Sequence, residues 1–422
     1  MRRIFLLICL VFNIAVAFSR LEIAGTHIQI DKKDIEGTTK VIIFDTITSD
    51  TRIFYSGTNV RFYKFENINT DTYSTELFPP EDATGYVVEV DGVRTDTIWT
   101  ISYKNYLPVF TALSAEYKPT EQCQEVNLLL DSNIPALSYR NINGTTFTFP
   151  REFKIAYKTL DWKGTAWSTI NADVAFTAPQ AVITVPAPLQ ATTFTVSGDQ
   201  YAEELKIRPV AFTGPEYTPV AVACHLTTRV TDRTRSENNE DMAPSLQQPI
   251  NFSAPIDVEF LSNANEPVTQ YYKWEILKDN ALLISRTDKD HRYTFNNAGE
   301  YKVKLMVSNS YCTAYDSISV TVTESAIQVP NVFTPNGDGM NDEFRIAYKS
   351  ILRFECWVYN RWGRLVYHWT NPAKGWDGRI GGTDAAAGAY FYVIKATGSD
   401  SDPKNPGKRK LYKLQGDINL LR

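Results

Sequence analysis

The chain has 422 residues, 43% of them hydrophobic and 13% aromatic, with Lys+Arg 43 against Asp+Glu 48 and a formal net charge of −5. That length exceeds what one hydrophobic core serves, and an acidic balance argues against a nucleic-acid partner, which needs a basic surface. Thr, Val, Ile, Tyr and Phe are frequent and long windows of helix formers are missing, so strands are favoured over helices.

Residues 1–17 read as a secretory signal peptide. Met1-Arg2-Arg3 is a charged start, an apolar stretch broken by Asn13 follows, and Ala15-Val16-Ala17 is a small-x-small cleavage site, so the mature chain is expected to begin at Phe18. No other run approaches the roughly 18 apolar residues of a membrane-spanning helix. Residues 18–119 are expected to form a first Ig-like β-sandwich, with strands at 40–44, 59–65, 86–90 and 97–103. Gly57, Pro79-Pro80 and Asp91-Gly92 mark its turns, the last being a hairpin signal. Residues 120–242 form a second sandwich, with strands at 125–130, 145–149, 153–157, 181–185, 192–196 and 220–230. It closes on a charged, Asn-rich stretch, 231–242, without apolar period, which reads as a linker.

In residues 243–326, Tyr271-Tyr272-Lys273-Trp274-Glu275-Ile276 is followed by Tyr293-Thr294-Phe295 and Ala298-Gly299-Glu300-Tyr301. From Tyr301 the pattern alternates, placing Tyr301, Val303, Leu305 and Val307 on one face of a strand. This module resembles the polycystic-kidney-disease (PKD) repeat, an Ig-like sandwich. It departs from that family after Trp274, where Leu277-Lys278-Asp279-Asn280 stands in place of an aromatic-glycine-acidic-glycine turn, so no ligand role carries over to that turn.

Residues 327–422 carry five linked blocks. They are Val329-Pro330-Asn331-Val332-Phe333-Thr334-Pro335-Asn336-Gly337-Asp338-Gly339, Val358-Tyr359-Asn360-Arg361-Trp362-Gly363, Gly375-Trp376-Asp377-Gly378, Gly388-Ala389-Tyr390-Phe391-Tyr392 and Gly416-Asp417-Ile418-Asn419-Leu420. In order and spacing they resemble the gliding-motility-associated C-terminal domain family, the type B sorting domain of the type IX secretion system. The resemblance implies export by the type IX machinery, residence at the cell surface and an outer-membrane β-barrel protein as partner. From Ile327 onward there are 14 basic and 9 acidic residues, so the acidic excess lies in the preceding modules. Either the last module meets an acidic partner, or residues 404–413 are a solvated Lys-rich loop.

Three groups of residues are candidate sites. Asn336, Asp338, Asn341 and Asp342, spaced by two glycines, offer oxygens to a hard cation such as calcium. The same side chains can instead bond their own backbone in a tight turn. Asn360-Arg361-Trp362-Gly363 would present an Arg and a Trp, residue types enriched at binding hot spots, for sorting recognition; alternatively Trp362 covers the edge of the core. Of the mature cysteines Cys123, Cys224, Cys312 and Cys356, the first pair lies at opposite ends of the second module and is expected to be a disulfide, with free buried thiols at the other two.

Catalytic signatures are missing. His27, His225, His291 and His368 stand alone, and there is no nucleophile elbow, phosphate loop or dinucleotide fingerprint. The expectation is therefore an all-β chain of tandem Ig-like β-sandwich modules ending in a β-sandwich sorting domain. It would act at the cell surface as an adhesin, structural or interaction protein towards surface glycans or proteins, without catalysis. The alternatives are a hydrolase housed in residues 21–232, or carbohydrate binding through Trp99, Trp162 or Trp167.

Overall fold

The computed structural model describes residues 21–70, 72–230, 250–402 and 404–422. The expected signal peptide and the stretch 231–242 lie outside the described residues. The chain divides into two units, Met1–Thr159 with Thr169–Pro219, and Leu160–Ser168 with Val220–Arg422. Nearly all the regular structure in both is strand, as the β-branched and aromatic composition predicts.

In the first unit a five-stranded sheet orders His27–Asp31, Lys40–Phe44, Val93–Ser102, Thr84–Val90 and Val60–Lys64. The Lys40–Phe44 and Val93–Ser102 strands are parallel. Both faces of this sheet are covered, with Val41 and Ile43 in one core and Ile42 and Phe44 in the other, as expected of a parallel pair. Asp91 and Gly92 both take positive φ (50° and 80°) between the paired Val90 and Val93. That is the geometry a two-residue type I′ hairpin needs.

A seven-stranded sandwich follows. Val182–Pro186, Glu125–Asn133 and Val109–Ala115 form one sheet; Trp167–Ala178, Arg151–Trp162, Thr192–Gly198 and Val210–Tyr217 form the other. Leu113, Val126, Leu128 and Ile183 interdigitate with Phe153, Ile155, Phe194 and Val196 between them. The expected boundary after residue 119 is crossed in two ways. Val109–Ala115 pairs with Glu125–Asn133, and Leu137, Tyr139, Tyr201 and Leu205 pack into the core that holds Trp99 and Tyr103. At that junction the Arg151 guanidinium, 3% exposed, donates to the fully buried Asp199 carboxylate at 2.5 Å and to the carbonyls of Tyr106 and Pro135. The Tyr103 hydroxyl donates to the other Asp199 oxygen at 2.6 Å.

The second unit contains a further sandwich and the C-terminal domain. Ile250–Ser253, Thr313–Thr323, Gly299–Ser308, Tyr271–Lys278 and Ala281–Arg286 form one sheet, and Thr227–Val230, Ile256–Leu261 and His291–Phe295 the other. Tyr301, Val303, Leu305 and Val307 are buried as the alternation predicts, with the Tyr301 ring edge-on to Phe295. Asp279 and Asn280, where the sequence departs from the PKD pattern, are a positive-φ hairpin turn (50° and 65°).

The expected Cys123–Cys224 disulfide is not formed. Cys123 is engaged in a disulfide, whereas Cys224 is a free, buried thiol, its pKa pushed up to about 12 by burial and, secondarily, by the Asp316 charge. The segment around Cys224 belongs to the third sandwich and not to the second. Ala223 donates to Asn265 Oδ1 and Leu226 to Asp316 Oδ2, and Thr227–Val230 pairs with Ile256–Leu261, all in the third sandwich. Cys312 is likewise bonded rather than free, while Cys356 is a free buried thiol.

The C-terminal sheet orders Val332–Phe333, Asn405–Leu420, Gly388–Asp402, Ile351–Tyr359 and Leu365–Trp369. Residues 405–413, weighed above as part of a solvated loop, are the start of its longest strand. Trp376 is fully buried beside Phe333 and Tyr390 and donates to Arg379 O at 2.8 Å. A side chain at Gly378 would come within 2.9 Å of Pro335 in that packing, and its φ of +75° also favours glycine.

Candidate functional site

The Ile351–Tyr359 and Leu365–Trp369 strands are held apart from solvent on one face by Phe354, Cys356, Val358 and Trp369. On the other face Trp357 stacks on His368 at 5.4 Å, the Lys395 ammonium lies 5.4 Å from the Trp357 ring, and His368 Nε2 is 3.0 Å from Glu355. The tip that joins the strands is Asn360-Arg361-Trp362-Gly363. Gly363 N–H donates to Asn360 O, Asn360 N–H donates to Arg364 O, and Gly363 takes φ +75°. This is a type I turn closed by a left-handed residue and a bulge. Asn360 Oδ1 accepts the amides of Trp362 and Arg364 at 3.1 and 3.0 Å, fixing the loop from inside.

Turn geometry thus accounts for Asn360 and Gly363 but makes no demand on the two side chains between them. Trp362 is 75% exposed, and the Arg361 guanidinium lies over its ring at 4.1 Å. The reading in which Trp362 covers the core edge is thereby excluded. Beside the tip, Tyr359 pairs with Leu365 on one side and Phe391 on the other, and the latter two are 48% and 47% exposed. Sequence reasoning missed this apolar row, because facing residues come from strands some thirty positions apart; its only local trace is Phe391 amid an alternating strand.

The Asn336–Asp342 loop is brought together differently. Asp342 accepts the amides of Gly337 (2.7 Å) and Gly339 (2.8 Å), one with each oxygen. Asp338 accepts the amide of Met340 (2.7 Å) and the Asn336 side chain (2.9 Å), which hold its carboxyl below the usual carboxylate range. Asn341 sits at φ +53° and its carbonyl accepts from Thr334. The carboxylates therefore point at the loop's own backbone, and among the described residues no group of three or more His, Cys, Asp or Glu is arranged to hold a metal.

The aromatics considered for sugar stacking are engaged elsewhere. Trp99 lies in the core at 7% exposure, and Trp162 and Trp167 pack around His225 at 5.0 and 5.1 Å. A shallow recess of about 120 Å³ on the second sandwich is lined by Glu116, Lys118, Glu121 and Glu125. Its carboxylates are partly neutralised by Lys118, 3.1 Å from Glu116 and 3.6 Å from Glu121.

Residues 327–409 match the CHU_C Type IX secretion signal domain. The C-terminal domain is a type IX secretion signal. It implies export by the type IX machinery, contact with that machinery, and attachment at the cell surface. Residues 114–213, which span most of the seven-stranded sandwich, match a Fibronectin type III domain. No curated protein matches the chain. Similar solved structures include three N-terminal domains of the bacteriophage RB49 Highly Immunogenic Outer Capsid protein (10% identity, 74% of this chain and 98% of that one, TM-score 0.20). Others are the fibronectin(III)-like modules of Clostridium thermocellum CbhA (15%, 41% and 90%, 0.16) and the N-terminal four Ig domains of Dscam1 isoform 4.44 (12%, 96% and 99%, 0.21). TM-scores this low leave those likenesses without weight for fold or role. No helix among the described residues is long and apolar enough to cross a membrane.

Proposed function

We propose that the chain is a non-catalytic surface protein, an adhesin or structural element. Its Ig-like and fibronectin-like modules would supply the interaction surface, and its secretion domain would be read through the Arg361–Trp362 tip. The observation that carries the second part is the 75% exposure of Trp362 on a turn that needs only Asn360 and Gly363. An exposed tryptophan under an arginine is costly to leave unused and well suited to a desolvated pocket on a partner. That partner is either a component of the machinery or an outer-membrane β-barrel protein that retains the chain. Surface glycans or proteins remain the class of ligand for the modules.

The test is surface labelling of intact cells. Trp362→Ala and Arg361→Ala should leave the thermal stability of the protein unchanged yet reduce its appearance at the surface, with accumulation in the periplasm. Normal surface levels in both variants would refute the recognition role of the tip.

A further inference from the structure

The third sandwich passes into the secretion domain with almost no linker. The Thr313–Thr323 strand ends two residues before Ala326–Gln328, which already pairs with Ala347–Lys349 of the secretion domain. Both intervening residues are tied down. Glu324 is ion-paired with Lys410. Ser325, 3% exposed, directs its backbone amide to Asp400 Oδ2 at 3.1 Å and its hydroxyl to Asp400 Oδ1 at 2.5 Å, and its carbonyl accepts from the Tyr412 hydroxyl. Asp400 is itself 2% exposed. One residue earlier, buried Ser399 donates its hydroxyl to Ala254 O of the third sandwich at 2.5 Å, while its amide bonds Ser350 O. Gly398 completes the contact, since a Cβ there would fall 2.1 Å from Ser325 Oγ. Its φ is not in the left-handed region, so close approach is the reason for glycine at this position.

A buried carboxylate is tolerated only when its hydrogen bonds are made. Ser325, the residue that ends the preceding module, donates to both oxygens of Asp400, and Ser399 reaches directly into that module. Domains joined by a free linker move independently by default; here the linker is two residues long and built into a buried polar contact. We infer that the export signal is a two-domain unit, in which the third sandwich, clasped through Ser325, Ser399 and Asp400, is a working part of the signal rather than its cargo. This rests on the type IX reading of residues 327–409 and adds that the clasp fixes the direction in which the Arg361–Trp362 tip is presented.

The test uses the full chain expressed in cells with a type IX system. Ser325→Ala, Asp400→Ala and a Gly-Ser insertion after Glu324 are compared by whole-cell surface labelling and by hydrogen exchange of the purified proteins. Loosening the clasp should speed exchange at the Ser325 amide, leave the Ile351–Tyr359 and Leu365–Trp369 amides protected, and cause a several-fold loss of surface signal. Wild-type surface delivery in the insertion variant, with its Ser325 amide exchanging fast, would overturn the proposal. Should Asp400→Ala unprotect the hairpin strands as well, the insertion, which leaves every clasp side chain in place, decides by the same criterion. If Trp362→Ala is delivered normally while the clasp variants are not, only the recognition role of the tip falls. If the wild-type chain reaches the surface in cells lacking the machinery, both readings fall together.

Discussion

Breaking the Arg151–Asp199 pair should be the most damaging polar substitution in the first unit. The two side chains are 3% and 0% exposed, so neither can exchange its partner for water. Asp199→Ala leaves a buried guanidinium held by the carbonyls of Tyr106 and Pro135 and deprives the Tyr103 hydroxyl of its acceptor. Removing one partner of a buried pair costs about 3–5 kcal/mol, while replacing both by apolar groups costs far less. The Arg151→Met, Asp199→Leu double variant should therefore be milder than the sum of its singles. It should not return to wild type, because the Tyr106 and Pro135 carbonyls stay without a donor. With a urea slope of about 2 kcal/mol/M, Asp199→Ala should lower the unfolding midpoint of the first unit by roughly 2 M. Circular dichroism and amide exchange of the Lys40–Phe44 strand should report the same shift. A midpoint change under about 0.5 M, or strictly additive single effects, would show that the pair is not the lock that its burial indicates.

Three further outcomes are expected. In peptide mapping, Cys123 and Cys312 should label only after reduction, while Cys224 should label in the unfolded chain without it; a Cys224 disulfide peptide would contradict the fold around residues 221–226. Burial raises Tyr86 and Tyr201 to about 12, and burial together with hydrogen-bonded Asp96 and Asp199 raises Tyr55 and Tyr103 further. Unfolded tyrosines ionise near 10, so the unfolded state releases its protons first. Stability should be full below pH about 10 and fall as pH rises towards about 12, as urea midpoints measured across that range would show. In the Asn336–Asp342 loop, Asp342→Asn should lower the melting temperature equally with and without millimolar calcium, because Asp342 already bonds two backbone amides; a calcium-dependent rise in the wild type that Asp342→Asn abolishes would favour the cation reading.

Much of this protein was decided by short-range pattern. Strand alternation at Tyr301 to Val307 and the Asp91-Gly92 hairpin follow from period and backbone preference within a few residues, which tertiary contacts reinforce rather than set. Asn360 and Gly363 suit their turn for equally local reasons, since side-chain capping and positive φ are properties of the residues themselves. What it could not supply was the assignment of edge segments. Val109–Ala115, Thr227–Val230 and the extension at 405–413 join the sheets they do because of which neighbour offers an unpaired edge, and that is settled by packing between distant residues. The same ignorance produced the Cys123–Cys224 expectation, for a disulfide needs proximity that position along the chain does not encode. The clasp at Ser325 and Asp400 likewise links residues 75 positions apart. In sequence they are an ordinary Ser and Asp; only their shared burial makes them a joint.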